Sequence, residues 1–222
     1  MQTERLSTAR PQSIRLATNK VIRNTYMLLS MTLAFSAVMA FVAMATGARP
    51  ISWIVMIAVF IGGPFVIHAL RNSIWSLPLT FVFTGFMGYV LGPIVTLYLA
   101  QPNGSEIVMG ALSTTAVMFV GLSAYALTTR KDFSFLGGFV FVGFLVVLAA
   151  IVANLFLGLP ALSLAISAAA VLVVSAAILF DTSRMVHDGE TNYVMMTVSL
   201  YANIYVLFLH LLNLFHAFTG EG

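Results

Sequence analysis

Stretches of about twenty apolar residues alternate with short polar connectors along the whole chain. A helix of about 20 residues crosses a hydrocarbon core about 30 Å thick, so each stretch is long enough to span a bilayer. The pattern predicts seven membrane helices, at about 25–45, 51–70, 77–100, 107–128, 134–158, 161–186 and 192–217. The connectors are TGARP, RNSIW, QPNGSE, TTRKDF, GLP and the longer SRMVHDGETN, none with room for a soluble domain. The expected architecture is all-α: a seven-helix membrane bundle over 25–218, a basic tail over 1–24 and a short C-terminal tail over 219–222.

Composition agrees with the pattern. Hydrophobic residues make up 60% of the 222 positions and charged residues only 8%, where a soluble domain carries about 25% charged residues. With no cysteine, disulfides and thiolate chemistry are excluded. The ten Lys and Arg are too few and too scattered for nucleic-acid binding,. Their value is topological. Arg5, Arg10, Arg15, Lys20 and Arg23 precede the first span, and Arg71, Arg130, Lys131 and Arg184 fall on the same side, leaving only Arg49 opposite. That bias predicts a cytoplasmic N-terminus and, with an odd number of crossings, a C-terminus on the outer side. The first 24 residues have no apolar h-region, which argues against a cleavable signal peptide,.

Polar residues inside the apolar runs carry the candidate chemistry. Asp181 is the acid that reads as membrane-embedded. A charged side chain at mid-bilayer costs about 2.5–3.5 kcal/mol on insertion scales, so it persists there paired, hydrated or protonated. Ser163, Ser167, Ala170, Val174, Ala177, Asp181 and Arg184 step by three or four and share one helix face,. In the next run Asn192, Ser199, Asn203, His210 and Asn213 fall near one stripe. Two polar faces joined by one loop most simply meet, bringing Asn203 opposite Asp181.

Other spans add packing features. Gly62, Gly63 and Pro64 should kink the second span, with His68 and Arg71 at its cytoplasmic end. That pair reads as an interfacial His with a snorkelling Arg, or as an inward latch on the Asp181 region together with Arg184. Gly85, Gly88 and Gly92, followed by Pro93, form a surface on which another helix can approach closely,. The fourth span is rich in small residues from Gly110 to Ser123, which suggests the bundle interior beside the third.

Several segments together carry a resemblance: TGFMGYVLGPIVTLYL, ALSTTAVMF, AYALTTRKDFSFLGG, ILFDTSRMVHDGETNYVMMTVSLY and, in the first span, RNTYMLLSMTLAFSA. In this order they resemble the Bax-inhibitor/YccA family, also called TMBIM, over essentially the whole chain. The resemblance implies a bundle with a central last helix. It implies a pH-sensitive leak of calcium or other cations in some members. Among bacterial members it implies an inner-membrane protein that is substrate and modulator of the membrane-anchored protease FtsH, gripped through its cytoplasmic tail. By position, Asp181 matches the first member of the family's pH-sensing aspartate pair, and Asn203 stands where the second would lie. An Asp and an Asn cannot share a proton as two carboxylates do.

Two function classes follow. One is an interaction protein that binds FtsH through the tail carrying Arg5, Arg10, Arg15 and Lys20, a tail that otherwise only sets topology and touches anionic lipid. The other is a cation leak gated at Asp181 and Asn203, against a structural bond between the last two helices. Enzyme chemistry is not expected. Gly121-Leu122-Ser123-Ala124 is similar to an intramembrane serine motif, but His210 lies about 27 Å along its span from the cytoplasmic side, while Ser123 is near that side. Neither in-span lysine nor clustered metal ligands occur,. The expected partners are FtsH and the lipid bilayer, with no cofactor and with calcium or protons as transient candidates. His187, Asp188 and Glu190 form either a loose cation-holding loop or simply a solvated one.

Overall fold

The computed structural model describes residues 2–129, 131–187 and 192–219, with side chains described from residue 18 onward. Its elements are α1 (Gln2–Ala45), α2 (Trp53–Ala69), α3 (Ser76–Leu99), α4 (Gly104–Thr129), α5 (Leu136–Leu157), α6 (Pro160–His187) and α7 (Tyr193–Thr219). Six are long and apolar enough to cross a membrane. The exception is α2, with 17 residues, shorter than the expected 51–70. A second difference is at the start. The stretch read as a separate basic tail over 1–24 is, from Gln2, continuous with the first span in one 44-residue helix; between Gln2 and Ala45 there is no glycine and one proline, Pro11, to interrupt it.

Local chemistry sets the helix ends. Gly158 takes a left-handed conformation (φ 63°), and its N–H reaches the Asn154 carbonyl at 2.8 Å, ending α5. The Asn154 side chain then accepts the Leu159 N–H at 3.0 Å, and Pro160, which needs no intrahelical partner for its nitrogen, opens α6,. Asn192 caps α7 by accepting the Met195 N–H at 3.1 Å,. Ser134 donates its N–H and its hydroxyl to Asp132, at 2.8 and 2.5 Å, in the turn that leads to α5.

Close approaches fix the directions of the helices. A β-carbon on Gly85 would strike Phe35, one on Gly88 the Ser36 carbonyl, and one on Gly92 the Ala40 carbonyl and Ala43. Residue numbers rise together, so α1 and α3 run parallel with their backbones nearly touching, and α2 must return the chain across the bundle. The glycine face therefore receives α1. The small residues of α4 do not bring it chiefly to α3, as expected; α4 packs mainly on α6 and α7, and touches α3 less.

The last helix is central, in contact with α1, α2, α3, α4 and α6. Its Leu200, Tyr201, Leu207 and Leu212 are fully buried. By contrast α5 packs on α6 alone and exposes Phe139, Phe141, Val146, Leu155 and Phe156, an outer surface suited to lipid. The end of the bundle carrying Ser76, Thr129, His187 and Tyr193 is termed proximal, and the end carrying Ala45, Gly104, Pro160 and Thr219 distal.

Candidate functional site

The α6–α7 seam collects the polar residues of both helices. On α6 the small residues Ala170 and Ala177 let α7 approach, and the polar residues on the same face then meet those of α7. Asp181 Oδ2 accepts the Ser199 hydroxyl at 2.6 Å and the Asn203 amide at 2.8 Å. Asp181 is 6% exposed and lies about 9 Å along α6 from its proximal end. Arg184, one turn on, lays its guanidinium over the Phe180 ring at 5.6 Å.

A second polar node lies toward the distal end. His210 Nδ1 is 3.1 Å from Ser167 Oγ, and the Asn213 amide donates to Ser167 at 2.8 Å and to Ser163 at 3.2 Å. These residues line a cavity of about 350 Å³ with Asn154 of α5. Between the nodes Ala177, Ile178 and Leu207 are buried, so an apolar layer separates them. The arrangement can bond α6 to α7 at two depths. It can also hold one carboxylate on two donors, and Asn203 can turn its amide to meet either protonation state of Asp181.

Tyr201 forms a third node, which sequence reasoning missed. Its hydroxyl is 2.7 Å from Ser36 Oγ and donates to the Thr84 carbonyl at 3.0 Å, tying α7 to α1 and α3 at once. The signal was available, because a tyrosine inside an apolar run needs a partner for its hydroxyl. Thr197 adds a bond to the Thr25 carbonyl of α1 at 3.2 Å. Ser183 was also overlooked: it accepts the Phe133 N–H at 2.9 Å, holding the α4–α5 connector to the proximal end of α6.

The remaining expected residues lie elsewhere. His68 and Arg71 sit at the proximal end of α2, exposed, and neither side chain bonds Asp181 among the described residues. The link from this corner to α7 runs through the Arg71 carbonyl, which accepts the Asn192 amide at 3.2 Å. Gly85, Gly88 and Gly92 meet α1 rather than the seam, and Pro93 is buried on α3 beside them. Lys20 is exposed on α1, and the side chains of Arg5, Arg10 and Arg15 lie outside the described residues. So do Asp188 and Glu190, while His187 Nδ1 is 3.4 Å from Ser183 Oγ. Ser123 is buried with its hydroxyl unpaired among the described residues. In the α4–α5 connector, the hydroxyl and then the N–H of Ser134 hold the exposed Asp132 carboxyl below the usual carboxylate range.

Comparison with known proteins decides the family. The profile described as "Inhibitor of apoptosis-promoting Bax1" matches residues 18–220. The chain belongs to the Bax1-inhibitor family. Relatives within reach include an uncharacterised Pseudomonas aeruginosa protein, 50% identical over 201 residues and 90% of each chain. The Escherichia coli K12 protein named "Modulator of FtsH protease YccA" is 47% identical over 209 residues, covering 94% of this chain and 95% of its own. The same identity relates the chain to the protein named "Inner membrane protein YccA" of another Escherichia coli strain. Because the match runs from residue 18 to residue 220, the Bax1-inhibitor profile covers α2 to α7 and all of α1 except its first part.

Proposed function

We propose that this protein works in the bacterial inner membrane as a binding partner and modulator of the FtsH protease, and that FtsH also takes it as a substrate through the N-terminal part of α1. The observation that carries this reading is the 47% identity, over 94% of the chain, to the Escherichia coli protein named as a modulator of FtsH. Physical form supports it. The described connectors are short, whereas α1 begins about sixteen residues before the membrane stretch that starts at Thr18. That basic extension is the longest polar handle on the chain. The charge bias supports a cytoplasmic position for it and a periplasmic one for Thr219, at the opposite end of the bundle. The test is turnover in proteoliposomes containing FtsH, comparing the full chain with one lacking residues 2–17. The deletion should abolish degradation; equal half-lives would remove the tail from the mechanism.

A second reading is a cation leak at Asp181, favoured only by the polar seam itself. Asp181→Asn in liposomes holding a calcium dye tests it. Equal flux from variant and wild type across pH 5–8, or no flux from either, leaves Asp181 as a structural tie between α6 and α7.

A further inference from the structure

At the proximal end, the α2–α3 connector and the start of α7 enclose a cavity of about 590 Å³. Arg71, Asn72, Ser73, Ser76 and Asn192 supply its polar wall. Arg71 is exposed and makes no ion pair among the described residues. Ser76 is only 6% exposed, lines the cavity, and its hydroxyl has no hydrogen-bond partner among the described residues. The third contribution is the N-terminus of α7. Asn192 caps the Met195 N–H, while the N–H groups of Tyr193 and Val194 lie outside the intrahelical ladder and point out of the helix end. A cation, a buried hydroxyl donor and a helix N-terminus converging on one cavity are the groups that bind a phosphate.

The surroundings indicate where such a phosphate comes from. Ile74 and Trp75, in the same connector, are 85% and 62% exposed. An apolar side chain beside a tryptophan at the ends of membrane helices belongs at the bilayer interface, the depth of lipid headgroups. Asp188 and Glu190 precede Asn192 in the chain and lie outside the described residues, so the positive charge the site offers is that of Arg71. We propose that this cavity is a phosphate-binding site, filled by the headgroup of an anionic phospholipid from the proximal leaflet.

Native mass spectrometry of the full chain released from detergent tests this, with phosphatidylglycerol, phosphatidylcholine and inorganic phosphate as probes. Phosphatidylglycerol should be retained over phosphatidylcholine, and retention should fall about tenfold in Arg71→Gln and in Ser76→Ala, the scale of one lost charge-assisted hydrogen bond. Arg49→Gln removes the same charge at the distal end and should change nothing, which separates the site from general electrostatics. Saturable binding of inorganic phosphate with the same dependence on Arg71 and Ser76 would keep the phosphate site and reassign its source. Equal retention by wild type, Arg71→Gln and Ser76→Ala, or an equal fall in Arg49→Gln, overturns the proposal.

Discussion

At the scale of single residues, the seam holds because its polar side chains bond one another across α6 and α7. Asp181 is the clearest case. Replacing it by alanine leaves the Ser199 hydroxyl and the Asn203 amide as unpaired donors, and each buried orphan costs about 1–3 kcal/mol. Asp181→Ala should therefore lower the thermal midpoint in detergent clearly, and Asp181→Ala with Asn203→Ala together should cost less than the sum of the single changes. Additive losses in that double-mutant cycle would show that the 2.8 Å contact contributes nothing,. Asp132 gives a prediction for pH outside the membrane. Its folded carboxyl is held low by Ser134, so whatever it contributes is full above the unfolded value of about 3.9 and is lost as pH falls through the folded value. Asp132→Asn should flatten the acid limb of the melting curve and leave the neutral limb's shape alone. The seam was legible because helical periodicity puts Asp181 and its neighbours on one face. For Tyr201 the need for a partner was legible but the partners were not, since they are a backbone carbonyl and a serine on two other helices, and no spacing within one run encodes them.

At the scale of elements, glycines report where backbones meet, but not with what. The run Gly85, Gly88, Gly92 announced a close approach; that α1 rather than α4 fills it depends on which helix surfaces compete, and small residues on α4 serve α6 and α7 equally well. Space around each glycine gives a paired prediction. Gly88→Ala drives a methyl into the Ser36 carbonyl, a backbone atom that cannot rotate away, so α1 must shift at a cost of about 1–3 kcal/mol. Gly62→Ala meets nothing within 4 Å and replaces a poor helix former, so it should be neutral or stabilising by up to about 1 kcal/mol. Thermal unfolding of the two variants in the same detergent checks both signs. A Gly88→Ala variant as stable as wild type would mean that the α1–α3 contact is looser than its geometry implies. The bounds of α2 differ from the expected 51–70 by only two residues at the start and one at the end: the helix begins after Ser52 and stops at Ala69, where Leu70 opens the turn into the polar Arg71, Asn72 and Ser73.

At the scale of the whole molecule, the question is whether a helix of 17 residues crosses. At 1.5 Å per residue it covers about 25 Å, some 5 Å short of a typical hydrocarbon core. Parallel packing of α1 and α3 nevertheless demands the crossing: Phe35 meets Gly85 and Ala40 meets Gly92 in the same order, so the chain must travel back between Ala45 and Ser76. Exposed Trp53 and Trp75 flank α2 at its two ends, and a mismatch of this size is met by local thinning of the bilayer and by such interfacial anchors at modest cost. The antiparallel order along the seam, Asp181 with Ser199 and Ser163 with Asn213, continues the alternation to α7. It places Thr219 at the end opposite Ser76. Reporter fusions read this directly. Alkaline phosphatase joined after Asn103 or after Gly222 should be active, and joined after Asn72 inactive, with green fluorescent protein giving the reverse pattern. If the fusion after Gly222 instead reported the cytoplasm, α2 would not cross, α1 and α3 could not run parallel, and the glycine contact between them would have to be wrong as well.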